Sequence, residues 1–183
     1  MPQGVMVIAE QRDGEIRKVS YEIVSEGKRL ADKLGQKVIA VLLGQNIKAK
    51  AASLGHYGAN KIIVADDAKL ASYTPDAYAA VIAQVVKAND PAVLLLGASV
   101  QGKDLAARLS ARFGVGMAQD CTVFSIDNGR LNAIRPIYAG KVYAKVTFSD
   151  NYPHIATARP NVMPMNPPDA SKAAEIVDAG VAL

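Results

Sequence analysis

Four short apolar runs recur along the first part of the chain, at residues 5–9, 37–44, 61–66 and 92–97. Runs that are apolar almost throughout are typical of strands that a parallel sheet buries on both faces. None is near the roughly 20 residues that a bilayer-spanning helix needs. The pattern therefore predicts four buried strands and no membrane insertion.

Amphipathic segments separate and follow these runs. Apolar residues at helical spacing predict helices at 21–34, 47–54, 75–89 and 103–113. Ser20 is expected to cap the first helix and Gly35 to follow its end, while Thr74 caps the third helix with Pro75 at its first position. Strands that alternate with helices predict an α/β domain, with a mostly parallel sheet flanked by helices.

The pattern changes after Gly116. A turn signal at 127–129 separates two strand-like runs, residues 141–148 alternate between apolar and polar, and a last run covers 154–158. We expect these additional C-terminal strands either to extend the parallel sheet at an edge or to form an antiparallel flap.

A proline-rich segment comes next, with prolines at 160, 164, 167 and 168. Such a composition is typical of a domain linker. We therefore predict an α/β domain over residues 1–160 and a linker or tail over residues 161–183 that leads toward a further domain.

Composition narrows the function classes. Half of the 183 residues are apolar and 21% are charged, which describes a globular protein. The formal net charge is +4 with scattered basic residues and only 5% aromatic residues, so a nucleic-acid partner is not expected. The N-terminus lacks the features of a secretory signal, and the single cysteine, Cys121, forms no internal disulfide. Both features suit a reducing cytoplasm.

One loop resembles a phosphate cradle. From Gly97, the string GASVQGKD fits the P-loop template except that Asp104 replaces the Ser or Thr that binds Mg²⁺, which argues against nucleotide hydrolysis. A weaker anion or ligand site at the start of the next helix would use the following residues: Gly97, Ala98, Ser99, Gly102 and Lys103. The alternative is a tight strand-to-helix connection with Lys103 in solvent.

Other candidate groups give no catalytic or metal site. His56 and His154 have neither ligand nor triad spacing, and Cys121 is expected to be a buried structural thiol. Asp66 and Asp67 follow an apolar run like a Walker B strand, but such pairs are usually solvated caps. We expect no catalytic residue and no metal.

The stretch RPIYAG is the second unusual segment. Arg135 is followed by a proline, and Tyr138 and Gly140 come just before a predicted strand. Arg135 could hold an anion or the carboxylate of a partner, or it could cap the carbonyl end of a neighbouring helix.

Three stretches carry a family resemblance: PAVLLLGASVQGKDLAARLSARFGVGMAQDCT, RPIYAGKVYAKV and ATARPNVMP. Together, and in this order, they resemble the N-terminal domain of electron transfer flavoprotein alpha subunits. The resemblance covers nearly the whole chain and is more specific than any single motif. No Ser-Gly-x-x-Gln-His stretch of the family's flavin domain follows Pro168, so the chain is expected to be a fragment or a short form.

The resemblance implies an electron carrier rather than an enzyme. It implies a heterodimer with a beta subunit, FAD in the full-length complex, and AMP or a second flavin in the beta subunit. Electrons would come from flavin dehydrogenases such as the acyl-CoA dehydrogenases of fatty acid beta-oxidation. They would pass to a quinone oxidoreductase or another acceptor, in a bacterial or archaeal cytoplasm or a mitochondrial matrix.

In this interpretation the chain is the scaffold and subunit-interface domain, and the FAD site lies mainly in the domain that it lacks. Residues 97–103 and 135–140 are candidates for facing the shared interface or the edge of the cofactor. A different class remains open. The same strand–helix series suits a stand-alone adenine-nucleotide-binding domain, with a fold like that of adenine nucleotide alpha hydrolases.

Overall fold

A parallel sheet lies at the centre of the computed structural model, which describes residues 2–180. In chain order the strands are β1 (Val5–Ala9), β2 (Gln11–Arg12), β3 (Glu15–Ile16), β4 (Val38–Gly44), β5 (Lys61–Asp66), β6 (Val93–Gly97), β7 (Met117–Cys121), β8 (Val123–Asp127), β9 (Arg130–Ile137), β10 (Val142–Thr147), β11 (His154–Ala158) and β12 (Glu175–Asp178). The helices are α1 (Lys18–Leu34), α2 (Lys48–Gly55), α3 (Pro75–Asn89) and α4 (Val100–Phe113). The predicted α/β class is confirmed.

The sheet has the order β12-β5-β4-β1-β6-β11-β7 within the described residues, and each neighbouring pair runs parallel. Strand β1 lies between β4 and β6. After β1 the chain adds β4 and β5 on one side of it, and later it adds β6 on the other side. This is the topological switch point, where open α/β sheets commonly bind ligands at the carboxyl ends of their strands.

The sequence left open whether the C-terminal strands extend the parallel sheet or form an antiparallel flap, and the structure contains both arrangements. Strands β8, β9 and β10 form a separate antiparallel sheet, which we call the flap. Strand β11 then returns to the main sheet, where it pairs with β6 on one side and β7 on the other. Strand β11 therefore lies inside the main sheet, and β7 and β12 form its two edges within the described residues.

Alternating side chains of the strands pack into two apolar layers. Val5 and Val7 of β1 face α1 and α2, whereas Met6 and Ile8 face α3 and α4. The flap contributes Phe124 and other residues to the first layer. None of the helices in the described part of the chain combines the length and the apolar character required to cross a membrane.

Two predicted helix starts are wrong. Helix α1 begins at Lys18, so Ser20 lies inside the helix and does not cap it. The Ser20 hydroxyl bonds to the backbone of Glu10 instead. It accepts from the Glu10 N–H at 2.8 Å and donates to the Glu10 carbonyl at 3.0 Å. Helix α4 begins at Val100 rather than Lys103, because the Ser99 hydroxyl caps it by accepting from Gly102 N–H at 2.9 Å. Thr74 occupies the N-cap position of α3 and Pro75 comes first in the helix, as predicted, but the Thr74 side chain makes no capping hydrogen bond.

Residues after Pro160 pack along α1 before they reach the sheet. Asn161 N–H donates to Glu22 Oε2 at 2.8 Å, and Asn166 N–H donates to Ser25 Oγ at 3.0 Å. Arg29 Nη2 donates to the Pro164 carbonyl at 2.7 Å. Strand β12 then pairs with β5. The division of the chain near residue 160, with a linker toward a further domain, stays a prediction, and residues 181–183 lie outside the described range.

Candidate functional site

The sequence candidates lie at the carboxyl edge of the parallel sheet, in two places. The first is the α4 loop, residues 97–103, between β6 and the first turn of α4. The second is the tip of the flap, where residues 135–140 end β9 and turn toward β10.

A buried carboxylate occupies the start of α4. Glu10 follows β1 and is only 3% exposed. Its Oε1 accepts a hydrogen bond from Ser99 Oγ at 2.9 Å, and its Oε2 accepts from Arg17 Nη1 at 2.9 Å. Burial raises the pKa of this carboxyl, while the bonds from Ser99 and Arg17 act in the opposite direction. Helix N-termini attract anions, and the Glu10 carboxylate lies beside this one, bonded to the side chain of the N-cap residue Ser99.

The small residues of the α4 loop are required by this packing. A Cβ atom on Gly102 would lie 2.0 Å from the Gly97 carbonyl oxygen and 2.9 Å from Glu10 Oε1. On Gly97, it would lie 2.7 Å from a Val19 methyl carbon and 2.9 Å from Glu10 Oε1. These residues do not fit a phosphate group, since a carboxylate already occupies the place beside the helix start. The geometry favours the tight strand-to-helix connection.

Asp104, which breaks the P-loop pattern, belongs to a neighbouring polar network. Its carboxylate accepts from the Tyr73 hydroxyl at 2.6 Å and from Arg108 Nε at 3.2 Å. The Tyr73 hydrogen bond, followed by Arg108, lowers the pKa of Asp104. Burial and the same carboxylate raise the pKa of Tyr73. Tyr73 and Asp104 line a cleft of about 670 Å³ that is also lined by Arg12 and Asp13, so the charges of the cleft are mixed.

Asp66 and Asp67 cap helices, which confirms the simpler of the two interpretations. The Asp66 carboxylate accepts from the backbone N–H groups of Asn46, Ile47 and Lys48 at 2.6, 3.0 and 3.1 Å, at the N-terminus of α2. Asp67 accepts from Lys69 N–H at 2.8 Å. Across residues 2–180, no cluster of three or more His, Cys, Asp or Glu residues could hold a metal ion.

His154 and Cys121 are both buried. The His154 ring stacks between Phe148 and Tyr152, with centroid distances of 4.9 and 4.5 Å. Its Nδ1 accepts from Leu131 N–H at 3.4 Å. Burial raises the pKa of the Cys121 thiol to about 12, so the thiol is protonated at neutral pH, as a structural cysteine requires.

The flap tip forms one wall of a charged hollow that we call the arginine recess. The charged side chains that line it come from three different elements or loops and are Asp120, Arg135 and Arg159. Arg159 holds Asp120 in a bidentate pair, with Nε–Oδ1 and Nη2–Oδ2 distances of 3.0 and 2.6 Å. The Arg159 hydrogen bonds lower the pKa of Asp120, and the charges of Lys103 and Arg135 add to this effect.

One basic residue from each of the two predicted sites acts on the Asp120 carboxylate of the recess. Lys103 and Arg135 are 32 positions apart in the sequence, yet both lie close enough to influence the Asp120 carboxylate. Sequence reasoning missed Glu10, Asp120 and Arg159. Each lies at or just beyond the carboxyl end of a strand of the parallel sheet, and that position was the available signal.

The architecture defines the class of the protein. It is an α/β domain of the nucleotide-binding type, with a parallel sheet and a topological switch point, but the start of α4 is filled by its own Glu10 carboxylate. The electron transfer flavoprotein domain family matches residues 5–183, and the chain belongs to that family.

Curated relatives agree with this assignment. The chain is 42% identical over 174 residues to the electron transfer flavoprotein subunit alpha of Clostridium acetobutylicum, covering 92% of this chain and 52% of that protein. It is 37% identical over 184 residues to the corresponding subunit of Bacillus subtilis, covering 100% and 55%. It is 36% identical over 183 residues to the acryloyl-CoA reductase electron transfer subunit beta of Anaerotignum propionicum, covering 87% and 50%. The chain spans about half the length of these relatives.

Proposed function

We propose that this chain is the N-terminal domain of an electron transfer flavoprotein alpha subunit, and that it acts as the scaffold on which the beta subunit assembles. The flavoprotein would carry electrons from flavin dehydrogenases, such as acyl-CoA dehydrogenases, to a quinone oxidoreductase or another acceptor. The proposed location is a bacterial or archaeal cytoplasm or, alternatively, a mitochondrial matrix.

The observation that carries the scaffold role is the exposed outer face of the flap. Cross-strand pairing places Val123, Ile134 and Lys145 in one row on this face, with Pro136 and Tyr143 beside them. Val123 is 48% exposed and Tyr143 is 66% exposed. Large apolar and aromatic side chains on one solvated sheet face are typical of a protein interface.

The cofactor FAD is proposed to lie mainly outside this chain. When bound, its isoalloxazine ring accepts and donates the electrons. The α4 loop does not suit the pyrophosphate of a dinucleotide, because Glu10 fills the start of α4 and Gly102 packs against the Gly97 carbonyl. The same contacts oppose the alternative function as a stand-alone adenine-nucleotide-binding domain. AMP or a second flavin would belong to the beta subunit.

Assembly is tested by mixing the chain with a purified electron transfer flavoprotein beta subunit and measuring the mass of the complex by analytical ultracentrifugation. A 1:1 complex is expected. The double variant V123D/Y143D should weaken it at least about tenfold, since charges would be buried at the interface. Ile176→Asp is the matched control, because Ile176 is an exposed apolar residue on β12, at the far edge of the main sheet. A chain that forms no complex would contradict the scaffold function.

The flavin part is tested separately by absorbance. The chain is mixed with excess FAD and desalted, and a colourless protein is expected. A retained band near about 450 nm at roughly one flavin per chain would show that this domain holds the flavin itself.

A further inference from the structure

A buried donor without a partner lies in the arginine recess. The Nε atom of Arg135 is buried and has no hydrogen-bond acceptor anywhere in residues 2–180, and it is the single buried side-chain nitrogen or oxygen of this kind among them. Burying an N–H group of a guanidinium without an acceptor is unfavourable, and buried polar groups in proteins are almost always paired. Arg135 also lines the recess, so a ligand that enters the hollow meets the guanidinium group that carries this unpaired donor.

The Asp120 carboxylate of the recess does not supply that acceptor, although the charge of Arg135 acts on it. Both oxygens of Asp120 accept from Arg159, one from Nε and the other from Nη2. Asp120 is held for this pair by a left-handed backbone conformation, with φ of 59°. Arg135 thus remains beside an ion pair that is already complete.

The charges of the recess favour an incoming anion. Arg135 and Arg159 are the cations that line it and Asp120 is the carboxylate, while the charge of Lys103 also acts on Asp120. A single added negative charge would reduce the excess of positive charge. It would also give Arg135 the planar acceptor that suits a guanidinium edge.

The surroundings indicate that the anion comes from a protein. The recess has a volume of about 610 Å³ and is bordered by the turn from Ile137 to Gly140. Tyr138 and Ala139 in this turn have φ of 49° and 55°, which is strained for residues other than glycine, and Tyr138 is 76% exposed at the rim. The hollow is continuous with the exposed flap through β9, which carries Arg135 on one face and Pro136 on the other.

We propose that the arginine recess binds one carboxylate of a protein partner, an Asp or Glu side chain or a C-terminal carboxylate, through the guanidinium group of Arg135. The proposal rests on the proposed function in one respect, since it takes the partner to be the subunit that covers the flap. The carboxylate would fix how that subunit is positioned on the outer face of the flap, because hydrogen bonds to Arg135 would define where the carboxylate lies.

The first test examines the recess without any partner. Acetate is added to the ¹⁵N-labelled chain at constant ionic strength, and the Arg Nε–H resonances are followed by NMR. A saturable shift of the Arg135 resonance is expected, with no shift for Arg130, the matched control, which lies at the other end of β9 in an exposed pair with Asp150. No saturation by acetate would overturn the proposal. Tighter binding of inorganic phosphate than of acetate would overturn the carboxylate assignment.

The second test measures the affinity of the beta subunit for Arg135→Gln, Arg135→Lys and the control Arg130→Gln. Loss of a buried charge-assisted pair should weaken binding at least about tenfold for Arg135→Gln. Arg135→Lys should recover part of this loss, because it restores the charge but not the planar edge. Circular dichroism confirms that each variant is folded.

The two tests separate the recess from the assembly. If the unaltered chain binds no beta subunit, the scaffold function fails, and the acetate titration still decides whether the recess is a carboxylate site. If the chain binds the subunit and Arg135→Gln binds equally well, the scaffold function stands and the recess proposal is overturned.

Discussion

The Ser99 hydroxyl donates a 2.9 Å hydrogen bond to Oε1 of Glu10 and at the same time caps α4 by accepting from Gly102 N–H. This hydroxyl joins the end of β1 to the first turn of α4 across the switch point of the sheet. In nucleotide-binding proteins with an open α/β sheet, an anion of the ligand can occupy such a position. Here the bond to Ser99 and the ion pair with Arg17 hold a carboxylate of the chain in its place.

The first prediction follows from this arrangement. The chain should bind neither AMP nor ATP measurably, because a phosphate beside the start of α4 would meet the Glu10 carboxylate at close range. Isothermal titration calorimetry of the chain with each nucleotide checks this expectation. Saturable binding with one site per chain would instead support the stand-alone nucleotide-binding function.

The second prediction concerns Gly102, the glycine of the α4 loop that packs against the Gly97 carbonyl. Gly102→Ala should lower the free energy of unfolding by about 3 kcal/mol, since the new methyl group would overlap the Gly97 carbonyl and the backbone would have to move. Gly116→Ala is the matched control, because no heavy atom lies within 4 Å of its added Cβ. It should change stability by less than about 0.5 kcal/mol. Urea denaturation measures both, and equal effects would show that the loop is not tightly packed.

Local signals in the sequence were sufficient for much of the fold. Apolar runs predict β1, β4, β5 and β6, because strands buried on both faces exclude polar residues. Gly35 and Gly114 mark the ends of α1 and α4, and both adopt the left-handed conformation that favours glycine.

Long-range features could not be predicted in the same way. The insertion of β11 between β6 and β7 depends on pairing between strands that are far apart in the sequence. Serine is a residue type that commonly caps helices, but the Ser20 hydroxyl bonds to the backbone of Glu10 instead. Likewise, nothing local in the sequence connects Lys103 with Asp120 and Arg159, since only the strand order brings their loops together.

The third prediction concerns Asp66, whose side chain accepts three backbone hydrogen bonds at the start of α2. Asp66→Ala should destabilise the domain by about 1 kcal/mol or more, because the N–H groups of α2 lose their acceptor and the helix dipole loses its counter charge. Asp67→Ala is the control, since Asp67 accepts from one N–H group of a single 3₁₀ turn. Asp67→Ala should lower the free energy of unfolding by less than half as much as Asp66→Ala, as measured by thermal or urea denaturation. A larger loss for Asp67→Ala would contradict the capping role assigned to Asp66.

The fourth prediction is a pH dependence of stability that originates at His154. This side chain is 1% exposed, and burial lowers the pKa of its imidazole, although a hydrogen bond to the Ser149 carbonyl partly opposes the effect. The pKa in the folded state therefore lies below the value of about 6.5 in the unfolded chain. As the pH falls below that value, the unfolded chain takes up the proton first, so the folded state loses relative stability.

The free energy of unfolding should consequently decrease between about pH 7.5 and about pH 5.5, by at most about 1.4 kcal/mol per pH unit for this one group. His154→Asn should be less stable at the upper pH, because the ring no longer stacks on Phe148 and Tyr152. It should also lose this part of the pH dependence. His56→Asn serves as the control and should keep the pH dependence of the unaltered chain. If the free energy of unfolding depends on pH in the same way in all three proteins, His154 is excluded as the source of that dependence.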